Sequence, residues 1–143
     1  MKQKGFTLIE ILVTVSIIAL LTSIGLVSYA SFNRQARDAK RKADIEQIRG
    51  ALELYRSDEG TYPLTADFLF GSSLTEGTNT YLSKIPQDPQ NSSSGRKYYY
   101  TSDGTDYTVA AALESSVVSC SDDNCGSPTA IHCNYCLGPY GQQ

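Results

Sequence analysis

Near the start of the chain, 23 residues from Ile11 to Asn33 pass without a charged side chain, and a single acid, Glu10, stands immediately before them. Ahead of that acid come a short basic leader, Met1 to Lys4, then Gly5, then Phe6-Thr7-Leu8-Ile9. As one helix the uncharged run would be about 35 Å long, enough to cross a hydrocarbon core of about 30 Å. A lone carboxylate beside such a run is costly in lipid without a partner, so Glu10 reads as functional. The run carries Thr14, Ser16, Thr22, Ser23, Gly25 and Ser28, small and hydroxylated residues that suit close helix–helix contact as well as lipid.

Two simple explanations of the run fall short. A cleaved secretory signal carries its apolar region before the cleavage site, whereas the only leader-like piece here, Met1 to Gly5, precedes the apolar part. A plain membrane anchor accounts for the length but not for Glu10. It also fits orientation poorly, because Arg34, Arg37, Lys40, Arg41 and Lys42 outnumber Lys2 and Lys4.

From Tyr29 the pattern becomes amphipathic. Apolar residues fall at Tyr29, Phe32, Ala36, Ala39, Ala43, Ile48, Leu52 and Tyr55, mostly three or four apart. The basic cluster from Arg34 to Lys42 reads as a solvated face. No proline occurs before Pro63, so one helix over about residues 6–57 is expected. Gly25 and Gly50 are its weak points, each costing about 1 kcal/mol against alanine. If the helix loosens on assembly, Thr22, Ser23 and Gly25 mark the expected place. Asp58-Glu59-Gly60-Thr61-Tyr62-Pro63 ends the helix, with glycine as cap and proline as block.

The remainder reads as a head with an antiparallel sheet. Residues 58–96 form a mixed connection, extended and fixed by prolines over Tyr81 to Pro89. Lys97 to Thr101 and Asp106 to Leu113 read as strands joined at Ser102-Asp103-Gly104-Thr105, and a later strand is expected over Ala130 to Leu137. The fold class is therefore α+β, a long helix packed on three or four antiparallel strands; a sheet this small needs such a partner. The net charge of −3 and pI near 5.0 give no reason to expect nucleic-acid binding. One histidine and no tryptophan leave little material for an acid–base active site. No cofactor is expected, and the chain does not read as an enzyme. Asp103 with Asp106, and Asp122 with Asp123 and Asn124, lack the spacing of a calcium loop and read as polar turns.

Four cysteines, Cys120, Cys125, Cys133 and Cys136, lie in the last quarter of the chain. Outside the cytosol they favour two disulfides, with three possible connectivities. An antiparallel return would favour the nested pairs Cys120–Cys136 and Cys125–Cys133. The competing reading is a membrane-anchored metal or redox module, with the four thiols holding zinc and His132 nearby.

Lys4-Gly5-Phe6-Thr7-Leu8-Ile9-Glu10 followed by an unbroken apolar helix resembles the class III signal of type IV pilins and type II secretion pseudopilins. The likeness extends to Leu52-Glu53-Leu54-Tyr55, to Asp58 through Pro63, to Tyr81 through Pro89 and to Tyr98-Tyr99-Tyr100. It implies the type IV pilin fold, with a leader at 1–5, a transmembrane or filament-core half-helix at 6–33 and an exported head at 34–143. Within the head it implies a helix half at 34–57, a connecting loop at 58–96 and a sheet with the cysteine tail at 97–143. It further implies cleavage after Gly5, N-methylation of Phe6 and polymerisation through the apolar helix, with Glu10 pairing to a neighbour's N-terminus. Implied partners are copies of itself, a prepilin peptidase and methyltransferase, an inner-membrane assembly platform with its ATPase, and membrane lipid before assembly. The place implied is the membrane first, then an extracellular pilus or a cell-envelope pseudopilus. A major pseudopilin of a type II secretion or DNA-uptake system is the alternative within the class. The last 30 residues depart from the major-pseudopilin pattern, in which an acidic loop binds calcium.

Overall fold

The computed structural model describes residues 5–116, 120, 124–126 and 131–142, with the side chains of residues 24–28 outside that description. The chain divides into two compact units, one up to Gln35 and one from Ala36 onward. Helix α1, Leu8–Glu59, is 52 residues long. It begins and ends two residues later than the expected span. At its C-terminal end Gly60 adopts φ +80°, and its N–H donates to the Arg56 carbonyl at 2.8 Å. That left-handed residue closes the last turn, which an L side chain would do only with strain.

In the first unit, Leu8 through Leu21 present their large aliphatic side chains to the outside. Among the described residues no helix is long and apolar enough to cross a membrane. The uncharged run read from the sequence includes residues 24–28, whose side chains fall outside that description.

In the second unit, α1 turns Ile45, Ile48, Ala51 and Leu52 into the core. The face differs from the expected one: Ala36, Ala39 and Ala43 are exposed, while Asp38 and Arg41 continue the buried stripe. Alanine offers little area to bury, and here the inward positions are filled by charges that neutralise one another. Arg41 is therefore no part of a solvated basic face, and Arg37 is half-buried; Arg34, Lys40 and Lys42 are exposed as expected.

The connecting stretch carries structure that its sequence did not announce. Strands β1, Leu74–Glu76, and β2, Asn79–Leu82, form a two-stranded antiparallel hairpin turning at Gly77, φ +55°. A single helical turn, α2, Asn91–Ser94, closes on Gly95. The main sheet has four antiparallel strands in chain order: β3 Tyr99–Ser102, β4 Tyr107–Ala111, β5 Tyr135–Gly138 and β6 Gly141–Gln142. Tyr100 faces Val109 in register, and Ala110 faces Cys136. The first strand starts at Tyr99 rather than Lys97, whose N–H instead donates to the Cys125 carbonyl. The last expected strand begins late; His132 makes only an isolated bridge with Asn124, and Ala130 lies outside the described residues.

Alternation along the strands gives the sheet two apolar faces. Tyr98, Tyr100, Tyr107, Val109, Ala111 and Leu137 pack with Ile45, Ile48 and Leu52. Phe68 stacks on Tyr100 with ring centroids 4.1 Å apart, and Tyr62 meets Tyr107 edge-on at 4.6 Å. The opposite face buries Ala110 and Ala112 with Cys125, Cys133 and Cys136. This is the α+β arrangement of the type IV pilin fold.

Candidate functional site

The residues singled out by sequence fall into an N-terminal motif and a cysteine cluster. In the motif, Gly5 precedes the helix with open space about its Cα, and Phe6 is 86% exposed. Thr7 then caps α1. The Glu10 backbone N–H donates to Thr7 Oγ1 at 3.3 Å, while Glu10 Oε2 accepts from the Thr7 N–H at 2.7 Å and from its hydroxyl at 2.8 Å. This is the reciprocal Thr-x-x-Glu capping box, which satisfies two of the orphan donors that every helix start leaves. Sequence reasoning gave Glu10 a role and passed over Thr7, although the spacing of three between a threonine and a glutamate was the signal. Glu10 thus has a partner inside its own chain before any other molecule approaches.

The aliphatic surface that follows has no partner among the described residues of its own unit. Leu8 is 82% exposed and Ile9 70%. Each such side chain gains roughly 1.5–3 kcal/mol if taken fully out of water, so covering this segment with an apolar surface is strongly favourable. Its described hydroxyls are already satisfied by the helix: Thr14 donates to the Ile11 carbonyl, Ser16 to Leu12, Thr22 to Ile18 and Ser23 to Leu20. Hydrogen bonds of this kind let polar residues sit in apolar surroundings, and they weaken the turn they bond to. Thr22 and Ser23 make two of them in succession beside Gly25, whose surroundings lie outside the described residues. α1 is continuous through this point.

All four cysteines are bonded, Cys120 to Cys136 and Cys125 to Cys133, with Cα separations of 6.0 and 5.3 Å. This is the nested pairing. Four thiolates are therefore not available to hold zinc. Among the described residues no group of histidine, cysteine or acidic side chains is arranged to hold a metal. Asp103 Oδ1 is occupied by its own turn, accepting from the Thr105 N–H, the Thr105 hydroxyl and the Asp106 N–H. The backbone N–H of Asp106, then that of Thr105, hold its carboxyl down at about 2. Asn124 Oδ1 accepts from the Gly126 N–H, and Asp122 and Asp123 lie outside the described residues.

A third cluster was not foreseen. Arg41, fully buried, donates from Nε to Asp88 at 2.7 Å, from Nη1 to Asp38 and Glu114 at 2.8 Å each, and from Nη2 to Gln90 at 2.9 Å. Arg37 grips Glu114 through two bonds of 2.6 Å. Asp38 also accepts the N–H groups of Glu114 and Ser115 and the Ser115 hydroxyl. Burial alone would raise the Asp38 carboxyl, but these donors and Arg41 hold it below its ordinary value. The Arg37 fork, against some opposition from burial and with help from Arg41, brings Glu114 down to about 2. Burial works against the Arg41 charge, yet the hydrogen bonds to Asp88 and Glu114 prevail and keep it firmly protonated. The cluster ties α1 to the segment after β2 and to the segment after β4. It makes a clamp for the head, because among the described residues no buried side-chain donor or acceptor in it is left without a partner. The Asp38–Arg41 spacing of three was its faint signal; its distant partners Asp88 and Glu114 left none.

Residues 1–26 match the prokaryotic N-terminal methylation motif, and residues 29–124 match the family described as type II secretion system (T2SS), protein G. Among curated relatives, the type II secretion system core protein G of Vibrio cholerae is 32% identical over 76% of this chain and 77% of that protein. The core protein G of Pseudomonas aeruginosa is 35% identical over 73% of this chain and 77% of its own length. That of Escherichia coli is 32% identical over 62% of this chain and 67% of its own length. No solved structure gives a significant match.

Proposed function

Because the chain belongs to the type II secretion system protein G family, we propose that it is a major pseudopilin, a structural subunit of a type IV pilus-like filament in the cell envelope. The family favours the secretion pseudopilus over an external pilus. The observation that carries the reading is the first unit itself: a capped helix whose large aliphatics are exposed throughout its described residues, with one carboxylate at its start. A helix whose described aliphatic side chains are left exposed gains stability from an apolar surface it joins.

In this reading residues 1–5 are a leader removed after Gly5, residues 6–33 the membrane and filament-core segment, and residues 34–143 the exported head. Before cleavage the Phe6 nitrogen is an uncharged amide. Cleavage turns it into an amine, methylated by the peptidase, and creates a cation in an apolar setting. Glu10 is an anion in the same setting. Side-by-side packing lets the amine of one copy meet the acid of the next, which fixes the axial offset between them. A buried pair of this kind mainly sets register, whereas losing one partner costs about 3–5 kcal/mol. Partners are other copies, the prepilin peptidase and methyltransferase, and the inner-membrane platform with its ATPase; lipid surrounds the helix before assembly. The role is mechanical, without a catalytic step.

Two substitutions separate the carboxylate's charge from its capping. Glu10→Gln keeps the capping box, since glutamine serves there as well, and removes the charge. Glu10→Ala removes both. Cleavage and methylation, read by intact mass, are expected to persist in both variants, and both are expected to leave the filament fraction. Filaments of normal yield from Glu10→Gln would refute pairing by charge. Retention of Met1 to Gly5 in filaments would refute the processing.

A further inference from the structure

The cysteine cluster lies on the face of the four-stranded sheet that α1 does not cover. Its two bonds have unequal surroundings. Cys125 and Cys133 are 0% exposed and Cys136 is 1% exposed, whereas Cys120 is only partly buried. We propose that the bonds serve different ends: Cys120–Cys136 is an exchangeable latch, opened and closed by dithiol–disulfide chemistry, and Cys125–Cys133 is a sealed staple that stays shut while the latch opens.

Exchange requires a thiolate to reach one sulfur in line with the bond. Of the four cysteines, Cys120 alone is partly exposed as a residue, so the attack is assigned to it. A dithiol reductant attacks Cys120 Sγ, the Cys120–Cys136 bond breaks, and Cys136 leaves as a thiolate that takes up a proton. The reductant's second thiol then attacks its own sulfur in the mixed disulfide and releases Cys120. Two electrons and two protons pass to the chain, and the reductant departs as a disulfide. Oxidation by a disulfide runs the same steps backwards. The leaving thiolate sits among Ala110 and Ala112. Apolar surroundings raise a thiol's pKa, so the step is slow, yet it needs no unfolding. The staple exposes neither sulfur, and its reduction must wait for the lobe to open.

Opening the latch leaves the lobe seated. The Cys120 N–H donates to the Cys133 carbonyl at 3.0 Å, the Cys125 N–H to Ile131 at 2.7 Å and the Lys97 N–H to Cys125 at 2.9 Å, none of which involves sulfur. Asn134 bonds the N–H and carbonyl of Leu113 and the carbonyl of Ser116. The core beneath the other sheet face contains no cysteine.

The test is graded reduction of the full chain in detergent solution with dithiothreitol, followed by acid quench, alkylation and peptide mass mapping. Cys120 and Cys136 are expected to take label at least about tenfold faster than Cys125 and Cys133, the ratio set by the opening equilibrium that only the staple requires. In that window the near-ultraviolet circular dichroism of the tyrosine core is expected to be unchanged. Simultaneous labelling of all four, earlier labelling of Cys125 and Cys133, or loss of the tyrosine signal with the first bond would overturn the proposal. A Cys120→Ser/Cys136→Ser variant supplies the second arm. Its staple is expected to resist reduction as in the parent chain, and a staple reduced there as fast as the parent's latch would also overturn it.

Discussion

Arg41→Leu removes the one cation that Asp38, Asp88 and Glu114 share, while filling much of the space it leaves. Four acceptors lose a donor: Asp88 at 2.7 Å, Asp38 and Glu114 at 2.8 Å, and Gln90 at 2.9 Å. Asp38 keeps the Ser115 hydroxyl and two backbone N–H groups, and Glu114 keeps the Arg37 fork. Asp88 retains only the Gln90 N–H among its described donors, so most of the penalty falls there. Breaking a buried pair from one side costs about 3–5 kcal/mol. For a head of this size that lowers the midpoint by roughly 10–25 °C. Thermal and urea unfolding in detergent, followed through the tyrosines, read it directly. Adding Asp88→Leu removes the stranded acid, so the double variant is expected to recover a large part of the loss, which a mere packing defect would not do.

The pH dependence gives the sharper test. Glu114 is held down from 4.5 to about 2, and Asp38 is also lowered. In the parent chain the unfolded state therefore binds more protons in acid, and stability present above about pH 4.5 drains away as pH falls toward 2. In Arg41→Leu the part of that lowering which Arg41 supplies to Glu114 and Asp38 is gone, so the variant has less of this stability to lose in acid. The gap between the two proteins is expected to narrow as pH falls from about 4.5 toward 2. A variant within about 1 kcal/mol of the parent at pH 7, or a gap that stays constant over that range, would refute the clamp.

Two further outcomes follow from local geometry. Thr7→Ala removes the hydroxyl half of the capping box and is expected to cost about 0.5–2 kcal/mol at the helix start. Hydrogen exchange should quicken over Leu8 to Ile11 and not over Ile45 to Leu52, Thr7→Ser should restore it, and unchanged exchange would count against the cap. Gly71→Ala meets strain twice, at φ +91° and through a Cβ that would lie 2.6 Å from Gln87 Nε2. It should destabilise the head by about 1–3 kcal/mol, with Gln87→Ala relieving only the steric part in a denaturant titration.

What could be read from the chain depended on how local its cause was. The length of α1, its glycine stop and the hairpin turn at Asp103 rest on neighbouring residues, and each appears where propensity places it within two residues. The helix face in the head did not, because Ala36, Ala39 and Ala43 obey the same period as Ile45, Ile48 and Leu52 while pointing elsewhere. Periodicity counts apolar residues and cannot see that a buried arginine is neutralised by acids 47 and 73 positions away. The β1–β2 hairpin escaped because strands of three and four residues carry too little pattern to stand out from a loop.

The cysteine lobe and the arginine clamp, distant in sequence, grip adjoining residues of one four-residue segment, Leu113 to Ser116. Leu113 and Ser116 are held by Asn134, which sits between Cys133 and Cys136. Glu114 and Ser115, between them, turn their N–H groups to Asp38 on α1. Leaving β4, the chain is therefore fixed from the lobe side by an amide and from the helix side by a carboxylate, with Arg37 and Arg41 closing on Glu114. Among the described residues the sheet's outer face buries two alanines and three cysteines, with Tyr99 and Ile131 partly buried against them, so most of the groups there are small or sulfur-bearing. Covalent bonds, each worth roughly 2–4 kcal/mol, add to that packing, and the Cys125–Cys133 staple adjoins Asn134. The disulfides thus act on the helix at second hand: they steady the segment that presents Glu114, and Glu114 steadies the arginines.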